Sequence, residues 1–219
     1  MTVSTVRRAS LLALAALLAG CSATGVASRS ARSGSTKVTI KPSSLGRERV
    51  HEQPDGLAPI DKPPSGFTKV SGDGFVAWAP PGFTPKKGTS RSGEPLLVLV
   101  GPGAEAARPH VGFGRDTKPG RASVMEQSYT FESALRVPAP EPAKGIRRTV
   151  TRWPGTLRAV IVEWTTEAPD ASGATSAMHH VQLFTDVDDG LSLSVVAAAP
   201  VDTFDQSQVA TVLRTFRPT

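Results

Sequence analysis

The sequence predicts an α+β fold, an antiparallel β-sheet flanked by helices, placed behind a signal peptide and a flexible tether. Three observations predict it. Short apolar runs, several of them alternating, are separated by Pro, Gly and Asp turns and read as strands. Two segments combine capping-box spacing with apolar residues at helical intervals. The N-terminus joins a basic stretch to a short apolar stretch that ends in small residues. A chain of 219 residues, 39% apolar and 20% charged, can bury one ordinary core. Its Gly (20) and Pro (19) residues follow no Gly-X-Y period, which excludes collagen and low-complexity classes.

Arg7 and Arg8 form the positive region, and Leu11 to Ala19 form an apolar stretch of about nine residues, where a membrane-spanning helix needs roughly 20. Leu18, Ala19, Gly20 and Cys21 resemble the lipobox of bacterial lipoproteins: a branched apolar residue, two small ones and the cysteine that takes the lipid. Small residues let the signal peptidase approach the backbone, and the thiol carries the diacylglyceryl thioether. Cys21 is the only cysteine, so no intramolecular disulfide competes for it. A plain secretory signal with an incidental cysteine is the alternative. The paired arginines leave twin-arginine and general secretory export both open. A diacyl anchor supplies two chains, the regime of stable attachment. The mature chain is therefore expected to start at Cys21, on the outer face of the cytoplasmic membrane.

From Ser22 to about Pro64 the chain is rich in Ser, Arg, Gly and Pro without a sustained period, and it reads as a flexible tether. Lys37 to Lys41 alternates and leaves a short edge segment open. Between Cys21 and Pro64 stand seven Lys or Arg and four Asp or Glu, a net positive charge that either attracts anionic lipid or keeps the linker solvated.

The domain is placed at residues 65–219, and its elements follow in order. Phe75 to Ala79 is a strand ended by Pro80, Pro81 and Gly82, which a helix could not cross. Leu96 to Val100 is wholly apolar and reads as a central strand, and Val111 to Arg115 as a weaker one thinned by Gly112 and Gly114. Ser123 and Glu126 have capping-box spacing before Val124, Ser128, Phe131 and Leu135. Ile146 to Trp153 alternates, Pro154 and Gly155 turn the chain, and Leu157 to Thr166 follows. Ser176 to Thr185, a turn at Asp188, Asp189 and Gly190, and Leu191 to Ala199 complete an antiparallel meander. Thr203 with Gln206 repeats the capping box before Val209, Val212, Leu213 and Phe216, predicting a helix over 203–216.

A lipobox, a polar tether, a strand with prolines and a Gly-aromatic end at Phe75 to Phe83, a Gly-turn strand at Gly155 to Trp164, and a terminal helix with a Phe-Arg-Pro ending together resemble the PsbP-like fold. More narrowly they are similar to the LpqN-type lipoproteins of actinobacteria. The resemblance covers roughly residues 65–219 and departs at Val137 to Gly145, whose prolines imply a longer connection. It implies no common catalytic residues and accessory or binding work at a membrane.

The residues themselves point to no active site. His179 and His180 are adjacent on a strand and point to opposite faces, so they cannot share an ion. Asp186, Asp188, Asp189 and Gly190 lack EF-hand spacing and read as a hairpin turn. No nucleophile elbow, P-loop or dinucleotide motif occurs, and no metal or cofactor is expected. Lys144, Arg147, Arg148 and Arg152, beside Trp153, form the densest basic cluster of the domain. It is either a solvated sheet edge or a contact for an anionic partner such as a phospholipid headgroup or cell-wall polymer. Trp78, Trp153 and Trp164 are core residues unless one lines an apolar cleft between helix and sheet. The expected function is a non-enzymatic, lipid-anchored extracytoplasmic module that binds a protein partner or an amphiphile, not nucleic acid. A hydrolase of envelope components is the alternative.

Overall fold

The computed structural model describes residues 48–90, 93–103, 107–118, 122–137, 143–169 and 175–219. The lipobox, Cys21 and the alternating segment at Lys37 to Lys41 lie outside the described residues, as does most of the Val137 to Gly145 connection.

Among the described residues, ten strands and two α-helices are formed. They are β1 (Thr68–Gly72), β2 (Phe75–Ala79), β3 (Thr84–Thr89), β4 (Pro95–Val100), β5 (His110–Asp116), α1 (Val124–Leu135), β6 (Lys144–Thr151), β7 (Arg158–Pro169), β8 (Thr175–Asp186), β9 (Ser192–Pro200), α2 (Val209–Arg214) and β10 (Arg217–Pro218). A seven-stranded sheet has the order β3-β4-β5-β9-β8-β7-β6, and a three-stranded sheet the order β1-β2-β10. All pairings are antiparallel, and β7, β8 and β9 form the expected meander. The α+β expectation is met.

Side-chain alternation sorts the large sheet into two faces. One face sends Leu99, Val111, Phe113, Ile161, Leu183 and Val195 against the small sheet and α2, where Phe75, Ala77, Val212, Leu213 and Phe216 meet them. The other sends Val160, Val162, Trp164, Phe184 and Val196 towards α1, which answers with Val124 and Met125. Burying these side chains stabilises the fold by roughly 1.5–3 kcal/mol each.

Three expectations change. Leu96 to Val100 is not central: β4 lies second from the β3 edge, and its apolar run reflects burial of Leu97 and Leu99 on one face with partial cover of Leu96, Val98 and Val100 on the other. The terminal helix is short. Residues 201–203 make a 3-10 turn, Gln208 takes a left-handed φ of 62°, and α-helix begins only at Val209. Ser207 Oγ donates to the Phe204 carbonyl at 2.6 Å, a local bond that competes with helix, while the Phe204 ring meets His179 edge-on at 4.4 Å.

The domain also starts earlier than Ser65. Leu57 is 3% exposed within the core, His51 N–H donates to the Val150 carbonyl at 2.8 Å, and Arg214 and Arg217 donate to the carbonyls of Ala58 and Ile60. Residues 48–64 therefore belong to the packed unit rather than to the tether. An apolar anchor and regular backbone bonds outweigh a linker-like composition.

Candidate functional site

The predicted basic cluster does not form a free cationic surface. Lys144 pairs with Glu167, and Arg147 holds one Glu163 oxygen through Nε at 2.8 Å and a terminal nitrogen at 2.7 Å. The Arg148 side chain is only 8% exposed, pairs with Glu48 and donates to Ser128 Oγ at 3.1 Å. Only Arg152 stays exposed with no side-chain partner among the described residues. Opposite charges stand across neighbouring strands, a pattern that the linear sequence hides.

His179 and His180 do point to opposite faces. His180 stacks on Trp164 at 4.9 Å, its Nε2 lies 2.9 Å from Thr166 Oγ1, and its Nδ1 is buried without a partner among the described residues. Burial, aided by the neighbouring His110 and His179 charges, pushes its pKa down to about 3. Such an imidazole is too weak a base to activate the Thr166 hydroxyl at neutral pH, and no carboxylate orients its other nitrogen. Burial also lowers His110 against the opposing effect of the Arg108 carbonyl, which accepts from its Nδ1 at 2.9 Å. His179 is lowered too, by burial first, with Glu163 and Asp205 opposing and Arg147 assisting.

The Asp-rich turn closes a hairpin. Asp186 accepts from Ser192 Oγ at 2.8 Å and from the Val124 N–H at 3.2 Å, which sets a carboxylate at the start of α1. Asp188 accepts from the Gly190 N–H at 2.7 Å.

Trp153 and Trp164 are core residues, but Trp78 is half-buried, because β2 turns Phe75, Ala77 and Ala79 inward and Val76 and Trp78 outward. No tryptophan lines the apolar cleft at Phe75 and Phe113. It lies between the two sheets, with a volume of about 330 Å³, where the β1–β2 hairpin meets β3, β4 and β5. Phe75 stacks on Phe113 at 4.6 Å and 12°, and Leu97 extends this apolar wall. Gly72 is required for that arrangement: a Cβ there would stand 2.1 Å from the Phe75 ring. Lys87 and Arg115 supply cations at the same cleft. Arg115 pairs with the exposed Asp73, while its Nε is buried and has no acceptor among the described residues. An apolar wall with a few polar groups at its rim is how small-ligand sites are commonly built.

No family model and no curated protein matches the sequence. The structure is similar to cyanobacterial PsbP. The solution structure of CyanoP from Synechocystis sp. PCC 6803 superposes with a TM-score of 0.49 at 14% identity, covering 73% of this chain and 96% of that one. The likeness to CyanoP assigns no ligand to the cleft between the sheets. That cleft escaped sequence reasoning, since β1 and β3 carry too few apolar residues to stand out and its stacked rings are 38 positions apart. Gly72 at the end of β1, Gly112 and Gly114 in β5 and the lysine pair of β3 were the available signals.

Proposed function

We propose that this chain is a lipid-anchored, extracytoplasmic, non-enzymatic module that binds an amphiphile near the membrane. The narrower LpqN-type reading rests on the sequence resemblance. The lipobox at Leu18 to Cys21 supports the anchoring. The observation that carries the binding role is the cleft: Phe75, Phe113 and Leu97 offer apolar surface, and Lys87 and Arg115 line it with cationic side chains suited to a polar or anionic head. A volume near 330 Å³ is at the lower end of small-ligand sites, which fits a single short chain or ring system rather than a whole diacyl lipid.

Expression of the full chain in a lipoprotein-competent host tests both parts. Wild type should carry the thioether-linked lipid mass and fractionate with membranes, and Cys21→Ser should lose both. Native mass spectrometry of the Cys21→Ser chain should show a non-covalent amphiphile that Lys87→Glu weakens, Lys87 being an exposed residue on an edge strand. A clean apo mass would reassign the module to protein partners, and an adduct indifferent to Lys87 would place the amphiphile away from this cleft.

A further inference from the structure

A second surface lies at the other end of the large sheet. Val50 and Leu157 are large apolar residues left 48% and 66% exposed. They line one groove of about 490 Å³, together with Arg152 and Arg158. Arg158 is 59% exposed and only 3.7 Å from Asp186 at its nearest approach, so its guanidinium remains open to solvent. The one carboxylate that lines the groove, Glu48, is held by Arg148, and Asp186 beside Arg158 also accepts from Ser192 and the start of α1. Exposed apolar tips beside solvent-facing arginines are the composition of a surface that sits in the headgroup region of a bilayer.

The chain outside the described region ends at this groove, since Glu48 is the first described residue and lines it. The stretch between Cys21 and Glu48, residues 22–47, holds five Lys or Arg and no Asp or Glu. All four acids of the segment read as a tether lie in 48–64, the part that packs on the domain. An acid-free basic stretch thus leads straight into the arginine and leucine surface. Even fully extended it spans at most roughly 90 Å, which keeps the domain beside whatever holds Cys21.

We propose that the end of the domain formed by Val50, Arg152, Leu157 and Arg158 docks on an anionic phospholipid bilayer, continuing the basic stretch that precedes it. This would hold the domain in one orientation on the membrane. The inference rests on the lipid-anchored reading for its location, yet its test does not use the acyl group.

The mature Cys21→Ser chain, which cannot be acylated, is sedimented with vesicles of phosphatidylcholine alone or with one part in three phosphatidylglycerol. Binding is expected only to the anionic vesicles and should fall in high salt. Arg152→Glu and Leu157→Asp, both at exposed positions, should each weaken it about tenfold while keeping the wild-type Tm. Lys86→Glu, on the β3 edge at the opposite end of the large sheet, should leave it unchanged. Equal binding to both vesicle types, or wild-type binding by both the Arg152→Glu and Leu157→Asp chains, would overturn the docking surface; in the latter case the basic stretch alone would hold the lipid. A failure of anchoring would appear separately, as an unlipidated wild type in the host.

Discussion

His180 shows how one buried residue sets a pH response. Its pKa in the folded chain is near 3 against an ordinary 6.5, so between these values the unfolded chain binds a proton that the folded chain refuses. Stability therefore rises with pH across this window and is lost as pH falls from about 6.5 towards 3. Thermal melts from pH 7 to 4 should show a falling Tm, and His180→Phe, which keeps an aromatic ring against Trp164, should flatten part of that slope. An unchanged slope would assign acid sensitivity to other groups. Gly72 acts through size instead. Ala at this position would drive its Cβ into the Phe75 ring, and the displacement should cost about 1–3 kcal/mol by urea denaturation. The same substitution should weaken the amphiphile adduct, because Phe75 would leave its stack on Phe113.

Helix α1 was legible in the sequence because its signals are local. Ser123 Oγ accepts from the Glu126 N–H, and the Glu126 carboxylate accepts from the Ser123 N–H at 3.0 Å. Ser123→Ala should cost about 1 kcal/mol in chemical denaturation, as a lost N-cap does. The C-terminal segment carries the same spacing at Thr203 and Gln206, yet forms a 3-10 turn and a left-handed residue before its six-residue helix. There the Ser207 bond to the Phe204 carbonyl competes with helix locally, and the Phe204 ring is held by His179, a tertiary contact with no signature in a local window. Strands show the same division. The meander β7, β8 and β9 is readable from alternation and turns, whereas β3, with the sequence Thr-Pro-Lys-Lys-Gly-Thr and every residue exposed, owes its state to pairing with β4. Its proline and lysines are what protects an edge from further pairing. The opposite edge, β6, is instead covered by residues 48–53, whose His51 exchanges backbone and side-chain bonds with Val150 and Thr151. The basic cluster was visible as residues but not as a charge state, because Glu48, Glu163 and Glu167 arrive from 16 to 100 positions away in sequence.

At the scale of the whole molecule the question is where the folded unit begins. A start at Ser65 would leave every strand and both helices in place, yet it would remove Leu57 from the core between the sheets and Glu48 from the Arg148 side chain. It would also strip the Val150 carbonyl of its His51 donor, and Arg214 and Arg217 of the Ala58 and Ile60 carbonyls. Arg148 is the costliest of these losses, since a largely buried guanidinium without its carboxylate keeps only hydroxyl and carbonyl partners. A chain beginning at Ser65 should therefore melt well below one beginning at Glu48, or aggregate. Within the longer chain, Leu57→Ala should cost about 2–5 kcal/mol, the range for a buried leucine. Equal melting of the two chains would return residues 48–64 to the tether. It would also detach the groove at Val50 from the domain, so the proposed docking surface depends on the same packed segment as the stability.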